Sequence, residues 1–176
     1  MKKYDDILSF DLPEGYEEIK GINDSGNPTY AIGAGKTVDE NGQDQYTYRL
    51  NLLAVPQDYE TDQPDSPVIR LAGNIQNQIR FNTNSTAFMG IAFTITTGFI
   101  TLIHEKASYL CTSVVAGGGD RLEGWINFLN DVLNAVVLDG KKGGFEPLTS
   151  QMVADASTAA QLAEEAVLPF PAARPK

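Results

Sequence analysis

The 176-residue chain has few of the residues that build metal and redox sites, with one cysteine, one histidine and one tryptophan. A single cysteine cannot form a disulfide within the chain, and one histidine excludes a site built from several imidazoles. Cys111 falls in a strand pattern, which indicates a small buried hydrophobic side chain. We therefore expect no metal site and no cofactor.

Basic residues are also scarce, because 13 Lys and Arg stand against 23 Asp and Glu, a formal net charge of −10. Nucleic acids and anionic membranes are bound by clustered Lys and Arg, so this balance argues against both as partners. The acidic pairs Asp5-Asp6 and Glu17-Glu18 are interpreted as solvated faces, because adjacent carboxylates diverge in an extended chain. That divergence is poor geometry for acid–base catalysis.

Long apolar runs are absent except from Phe81 to Ile103, which carries no formal charge. A membrane span needs about 20 apolar residues, and this stretch contains many Thr and Asn residues, so it predicts two strands around a turn at Gly98. No secretory signal is predicted, because Asp5 and Asp6 follow Lys3 where an apolar segment would be needed. A cytoplasmic location is therefore expected.

The strongest pattern in the chain lies between Phe88 and Val137. Alternating apolar residues from Met89 to Ile95 predict a strand, and Phe99–Ile103 and Tyr109–Val115 predict two more. After three glycines, apolar residues recur at helical spacing around Trp125 and predict a helix from Arg121 to Val137 docked on the sheet. Asp120 and Glu123 predict a capping box, and Gly140 a helix stop.

The earlier part of the chain has the pattern of an antiparallel meander. Strands are predicted at Ile7–Leu12, Tyr16–Ile19, Tyr30–Gly33 and Gln45–Val55, with a hairpin turn at Asn41-Gly42. The face of the last strand that carries Tyr46, Tyr48, Leu50 and Leu52 is predicted to pack on the core. Val68, Leu71, Ile75 and Ile79 fall at helical spacing and predict a helix of about 14 residues that covers the second face of the sheet.

The C-terminal part differs in composition from the rest. A Lys/Gly loop from Lys141 to Pro147 precedes an alanine-rich segment, Ser150–Leu168, which is predicted to be a helix that ends before Pro169. Two roles are open for this helix, a packing appendage or a partner-binding element. We therefore divide the chain into a domain of residues 1–140 and a C-terminal segment of residues 141–176.

The opening Phe10-Asp11-Leu12-Pro13-Glu14-Gly15-Tyr16, the meander, and the final strand, glycine turn and Trp/Phe/Leu helix resemble the Mog1/PsbP-like fold over roughly residues 5–138. The resemblance implies an α+β domain, with an antiparallel sheet of about six strands between helices on both faces. The extra C-terminal helix has no counterpart in the pattern. Members of this family mostly bind protein partners, and bacterial relatives include lipoproteins and effector-associated chaperones. The chain lacks the lipobox cysteine of those lipoproteins.

Catalytic patterns are weak in this sequence. His104 and Glu105 are adjacent in a strand pattern and point to opposite faces, so they do not form a dyad. A Cys111/His104 pair would require neighbouring strands to align the two residues. The three glycines at 117–119 favour a tight turn over an anion cradle, and Asp39 to Asp44 favours a hairpin over a calcium loop.

These patterns predict a non-enzymatic bacterial adaptor or chaperone-like module that binds a protein. The alternative is a small-ligand carrier or enzyme that uses a pocket between sheet and helix. Tyrosine is enriched at protein interfaces, so the candidate partner surface is Tyr46, Tyr48, Tyr59 and Phe145. A core role is the competing interpretation for Tyr46 and Tyr48.

Overall fold

The computed structural model describes residues 1–57 and 76–155. Its elements in chain order are β1 (Lys2–Lys3), β2 (Leu8–Phe10), β3 (Tyr16–Ile22), β4 (Pro28–Val38), β5 (Asp44–Val55), β6 (Gln76–Phe88), β7 (Ile91–Ile103), β8 (Ser108–Ala116), α1 (Asp120–Ala135), β9 (Val136–Leu138), β10 (Lys141–Lys142) and a helix α2 at 150–155. The fold is α+β, and most of the regular structure is antiparallel sheet.

A six-stranded sheet in the order β3-β4-β5-β8-β7-β6 forms the body of the molecule. All of its pairings are antiparallel. The predicted hairpin at Asn41-Gly42 is confirmed, because Asp39 Oδ1 accepts the N–H groups of Asn41 and Gln43, both at 2.9 Å, and so closes the turn between β4 and β5. The strands predicted from residue 7 to residue 55 and from 109 to 115 are present.

The predicted helix around Val68 to Ile79 is wrong where the structure describes it. Residues 76–88 form β6, which pairs with β7 along its whole length. Ile79 and Phe81 are both fully buried on the same face of the strand. A spacing of two residues between buried side chains is typical of a strand. The helix prediction instead placed Ile79 in a pattern of helical spacing with apolar residues earlier in the chain. The rest of the predicted helix lies outside the described residues.

The predicted turn at Gly98 is also wrong, because β7 continues through it without a break. The turn instead lies at Met89-Gly90, where both residues have positive φ as in a type I′ hairpin. Gly98 is buried beneath the indole of Trp125, and a Cβ at this position would lie 3.2 Å from the ring. This glycine therefore makes room for a helix side chain.

Helix α1 is confirmed, but its two ends differ from the prediction. Its N-cap is Gly119, which provides no side-chain hydrogen bond, so the capping box is absent. Asp120 and Glu123 lie in the first turn, where carboxylates interact favourably with the helix dipole. The helix ends at Ala135, because Val136 to Leu138 pair with Leu8 to Phe10 as β9. Gly140 lies in the turn between β9 and β10 and does not end the helix.

That pairing belongs to a second, four-stranded sheet in the order β1-β2-β9-β10, which the sequence did not predict. The core lies between the large sheet, α1 and this small sheet. Its largest fully buried side chains include Trp125, Tyr109, Phe10 and Phe128. The indole N–H of Trp125 donates to Ser113 Oγ at 2.8 Å, so the predicted docking of the helix on the sheet is confirmed.

The two faces of the large sheet are covered differently. Within residues 1–57 and 76–155, α1 and the start of α2 both contribute to the core on one face, which we call the inner face. Leu53 and Val114 point to the outer face and are exposed. The prediction of helices on both faces is therefore not confirmed. Residues after Gly140 share the same core, which includes Phe145, Leu148 and Val153.

Candidate functional site

Tyr46 and Tyr48 lie on opposite faces of the large sheet, although a spacing of two residues in β5 predicts one face. Regular pairing places Ala34 opposite Tyr48 and Lys36 opposite Tyr46. Between these two pairs Gly35 has φ +69°, a conformation that turns the strand at this point. The prediction that both tyrosines face the core therefore holds for Tyr48 and is wrong for Tyr46.

Tyr48 of β5 contacts two residues of helix α1. Its ring stacks on Phe128 at a centroid distance of 5.7 Å, and its hydroxyl donates to the Arg121 carbonyl at 3.1 Å. The Arg121 guanidinium lies 5.6 Å from the same ring, within range of a cation–π contact. Tyr16 stacks on Phe128 as well, at 5.8 Å. Tyr48 therefore contributes to the packing of α1.

Tyr46 lies over Gly33 on the outer face and takes part in a polar cluster. Its hydroxyl donates to Glu17 Oε2 at 2.9 Å, and Lys36 Nζ lies 3.4 Å from carboxylate oxygens of both Glu17 and Asp44. The hydrogen bond from Tyr46, helped by the nearby ammonium of Lys36, lowers the pKa of Glu17. Exposed ion pairs of this kind add little to stability.

The other two predicted surface residues lie elsewhere. Phe145 is 8% exposed and belongs to the core, with its ring beside Gly143, so little of it is open to a partner. Tyr59 lies outside the described residues. The structure thus does not bring Tyr46, Tyr48 and Phe145 together in one patch.

The acidic pairs are tied to tyrosines, which the sequence interpretation of solvated faces missed. Tyr109 donates to Asp5 Oδ2 at 2.7 Å, and Tyr30 donates to Glu18 Oε2 at 2.5 Å. Burial, followed by these hydrogen bonds, raises the pKa of both Tyr109 and Tyr30 well above the ordinary value. These contacts join the N-terminal segment to β8 and β3 to its neighbour β4, a structural role.

Cys111 and His104 are not brought together. Cys111 pairs with Leu52 and Ile100 in the middle of the sheet, and its burial raises the pKa of the thiol to about 12. His104 lies in the turn after β7, where its Nδ1 accepts the Lys106 N–H at 3.2 Å. Within the described residues no cluster of His, Cys, Asp or Glu has the arrangement of a metal site.

An apolar groove, which we call the sheet–helix groove, opens between the inner face of the large sheet and the start of α1. Its lining includes Thr94 and Thr96 of β7, Gly118, Leu122 of α1 and Val153 of α2. Its volume is about 610 Å³, within the range of about 300 to 1,000 Å³ that ligand sites occupy.

The chemistry of this groove is simple. Among the described residues that line it, none is ionisable, and neither His104 nor Cys111 is one of them. The polar groups are hydroxyls, among them those of Thr83 and Thr96, which lie 3.5 Å apart across the β6–β7 pair. Such a surface can hold an apolar group and accept or donate a few hydrogen bonds.

A two-stranded hairpin extends the groove beyond the sheet. β7 pairs with β8 only as far as Ile95 opposite Ala116, and the Gly117 N–H then donates to the Thr94 carbonyl at 2.7 Å. The β6–β7 pairing continues to Phe88 opposite Ile91. We call this part, residues 85–94, the projecting hairpin.

The tip of the projecting hairpin is exposed and apolar. Met89 is 85% exposed and Ile91 is 68% exposed, and no charged residue occurs between Phe81 and Ile103. In the sequence, the absence of charge in this stretch was considered only as evidence for or against a membrane-spanning segment. With Met89-Gly90 recognised as the turn, the same observation would have pointed to an apolar tip.

No helix of the described residues is long and apolar enough to span a membrane. In comparisons with known proteins, no family model matches the chain and no curated protein is significantly similar to it. The geometry of the site is therefore the basis for the functional proposal.

Proposed function

We propose that the protein is a non-enzymatic protein-binding module of the adaptor or chaperone-like class. Its binding surface is the sheet–helix groove together with the tip of the projecting hairpin. The observation that carries this proposal is a groove of about 610 Å³, lined by no ionisable residue in the described part of the chain, beside the exposed Met89 and Ile91. Contiguous exposed apolar surface of this kind marks interaction sites.

The chemistry of the groove favours an apolar helix with small side chains as its occupant. Ala92, Thr94, Gly117 and Gly118 all have small side chains or none, so another backbone can approach closely. A charged segment would lose its hydration there without gaining an ionic partner. A helix that carries alanine and leucine on one face meets both conditions.

The hairpin tip adds contact area beside the groove. Met89 and Ile91 would each contribute about 1.5 to 3 kcal/mol if a partner buried them fully. Methionine has a flexible side chain that adapts to irregular surfaces and is common where different partners are bound. The tip therefore suits apolar partner segments that differ in sequence.

We also propose that the chain has the Mog1/PsbP-like fold, in a bacterial cytoplasmic protein. The support is the opening strand before Pro13-Glu14-Gly15, the antiparallel meander, and the helix around Trp125 that follows the last strand of the large sheet. The partner binding that this resemblance implies agrees with the apolar groove.

A small apolar ligand is the second candidate, because the groove has the volume of a ligand site. In that case the protein would be a carrier. An enzyme is less well supported, since the lining residues that the structure describes include no ionisable side chain that could act as an acid or base.

Two fluorescent probes separate these candidates. One is a labelled alanine- and leucine-rich peptide of about 16 residues, long enough to form a helix. The other is the apolar dye Nile red. We expect the peptide to bind in an anisotropy titration, and Ala92→Asp, which places a charge in the groove, to weaken binding by about tenfold or more, the loss of a strong interface contact.

Ile22→Asp is the matched control, because Ile22 is 75% exposed and lies on β3, at the opposite edge of the large sheet. It should leave peptide binding unchanged. Binding of Nile red without the peptide would favour the carrier. Equal effects of the two aspartate substitutions would contradict the proposed surface.

A further inference from the structure

A second, polar space adjoins the sheet–helix groove. Its volume is about 290 Å³, and its lining includes Glu123, Ile126 and Asn127 of α1 together with Thr149 and Ser150. We call this space the polar annex. Ser150 lines the groove as well. A segment bound in the groove would therefore lie beside the annex.

About one turn of α1 separates the two spaces. Leu122 lines the groove and Ile126 lines the annex, and residues four apart in a helix lie about 6 Å from each other on the same side. A long basic side chain that starts in the groove can cross this distance. Its carbon stem would then lie along apolar surface while its charged head reaches the polar space.

The annex brings a carboxylate to the border of the groove. Glu123 lies in the first turn of α1 with Asp120, and these two negative charges exceed the positive charge of about one half at the helix N-terminus. Arg121 lies on the other side of the helix, with its guanidinium 5.6 Å from the Tyr48 ring. The side of α1 that faces the annex is therefore negative.

The charge of Glu123 is not neutralised within the described part of the chain. Other carboxylates have a cation beside them, as where Lys36 lies 3.4 Å from oxygens of both Glu17 and Asp44. Among the described residues, no Lys, Arg or His side chain lies within ion-pair distance of Glu123. A cation on a partner would complete the pair.

We infer that the partner segment carries a lysine or arginine where it passes the polar annex and that Glu123 binds this cation, an inference that rests on the proposed function. The Asn127 carbonyl and the Ser150 hydroxyl supply further acceptors for an ammonium or guanidinium group. Apolar surface borders the site, so the pair is screened less than one in open water. Because the annex adjoins the groove near Ser150, the cation also decides in which direction the segment binds.

Peptides that differ at one position test the recognition of a cation by the full chain. The labelled alanine- and leucine-rich peptide is made with Lys, Gln or Glu at one position near its N-terminus, and a second set carries the same exchange near its C-terminus. In one of the two sets, the Lys peptide should bind about fivefold more tightly than the Gln peptide in anisotropy titrations, the value of a well-formed ion pair. The Glu peptide of that set should bind more weakly than both.

Glu123→Gln tests whether this carboxylate is the cause. The substitution keeps the size of the side chain and removes its charge, so the preference for Lys over Gln should disappear. Asp120→Asn is the matched control, because Asp120 lies in the same helical turn but is not among the described residues that line either space. It should keep the preference. An equal loss in both variants would mean that the general acidity of the chain attracts the peptide, and would overturn the inference.

Glu123→Lys provides a test in which a signal appears instead of disappearing. With the charge reversed, the Glu peptide should bind more tightly than the Lys peptide, because opposite charges at a contact are favoured and like charges are disfavoured. If the Lys peptide still binds more tightly to this variant, Glu123 is not the partner of the cation.

Failure of the inference and failure of the proposed function give different results. Equal binding of the Lys, Gln and Glu peptides in both sets would keep a binding groove and overturn the role of Glu123. Absence of binding by every peptide would overturn the proposed function, and the recognition of a basic segment with it.

Discussion

The two ends of the large sheet contrast sharply in how their apolar side chains are covered. At one end, α1 and the second sheet bury Phe10, Tyr109 and Trp125 completely. At the other end, the projecting hairpin continues beyond β8 and leaves Met89 and Ile91 exposed. Both ends are rich in apolar and β-branched residues.

This difference shows that strand composition does not decide which surface becomes core. The covered end has a helix whose apolar side meets the sheet, and the indole N–H of Trp125 on that helix donates to Ser113 in the sheet. Within the described residues, the hairpin has no such cover. We therefore propose that the covered end contributes most to the stability of the fold and that the end with the projecting hairpin binds a partner.

Trp125→Ala should have the largest effect on stability. Removing a fully buried indole leaves a cavity and removes its hydrogen bond to Ser113 Oγ, and costs about 3 to 5 kcal/mol. Chemical denaturation with circular dichroism measures this loss. An unfolding midpoint equal to that of the wild type would show that α1 does not hold the covered end together.

Gly98→Val should be the next most damaging substitution. The added Cβ would lie 3.2 Å from the Trp125 ring and 3.4 Å from the Phe81 ring. Overpacking of this kind costs about 1 to 3 kcal/mol. Gly118→Val is the matched control, because no atom of the described residues lies within 4 Å of the corresponding Cβ. If both variants lose the same stability in thermal melts, the tight contact is not the cause.

Tyr109→Phe should have a smaller effect, about 0.5 to 1.5 kcal/mol at neutral pH, from the lost hydrogen bond to Asp5. Burial raises the pKa of Tyr109 above its ordinary value of 10.0, so folding favours the neutral phenol. The stabilisation is therefore complete below pH 10 and is lost as the pH rises above it. Denaturation midpoints between pH 8 and pH 11 should fall more steeply for the wild type than for Tyr109→Phe.

Ala92→Asp should have the smallest effect on stability, within about 0.5 kcal/mol, because the side chain lies on the exposed end of the projecting hairpin. The same substitution is expected to weaken peptide binding strongly. A large drop in melting temperature would mean that the tip is part of the core of the folded chain. The division between a stable end and a binding end would then be wrong.

Much of the fold could be predicted from the sequence. The meander, the Asn41-Gly42 hairpin and the docked α1 follow from local patterns that each lie within a short window. The errors came where a local pattern had two interpretations. Ile79 fits both a helical and a strand period. Gly98 resembles a strand break in the sequence, and only its contact with the Trp125 ring in the structure explains why a glycine occurs within β7.

The candidate site was harder to predict. Its walls come from four separate segments, represented by Thr83, Thr94, Leu122 and Val153. Threonine, alanine and glycine carry no distinctive chemical signal, so nothing in the sequence marks these positions as belonging together. The tyrosines were predicted as a partner surface from their residue type alone. In the structure Tyr48 packs against α1, and Tyr46 lies on the outer face of the sheet.

By itself the sequence determined the acidic charge, the strand and helix periods, and the amphipathic helix around Trp125, since each depends on neighbours within a few residues. Only the tertiary structure decided that β9 leaves the helix to pair with β2, that Gly98 lies beneath an indole, and that a groove opens beside the projecting hairpin. These features depend on contacts between segments far apart in the chain. The energy of such contacts comes from the surface that the two contacting segments bury together. A local sequence pattern describes only one of these two segments, so it cannot predict the contact.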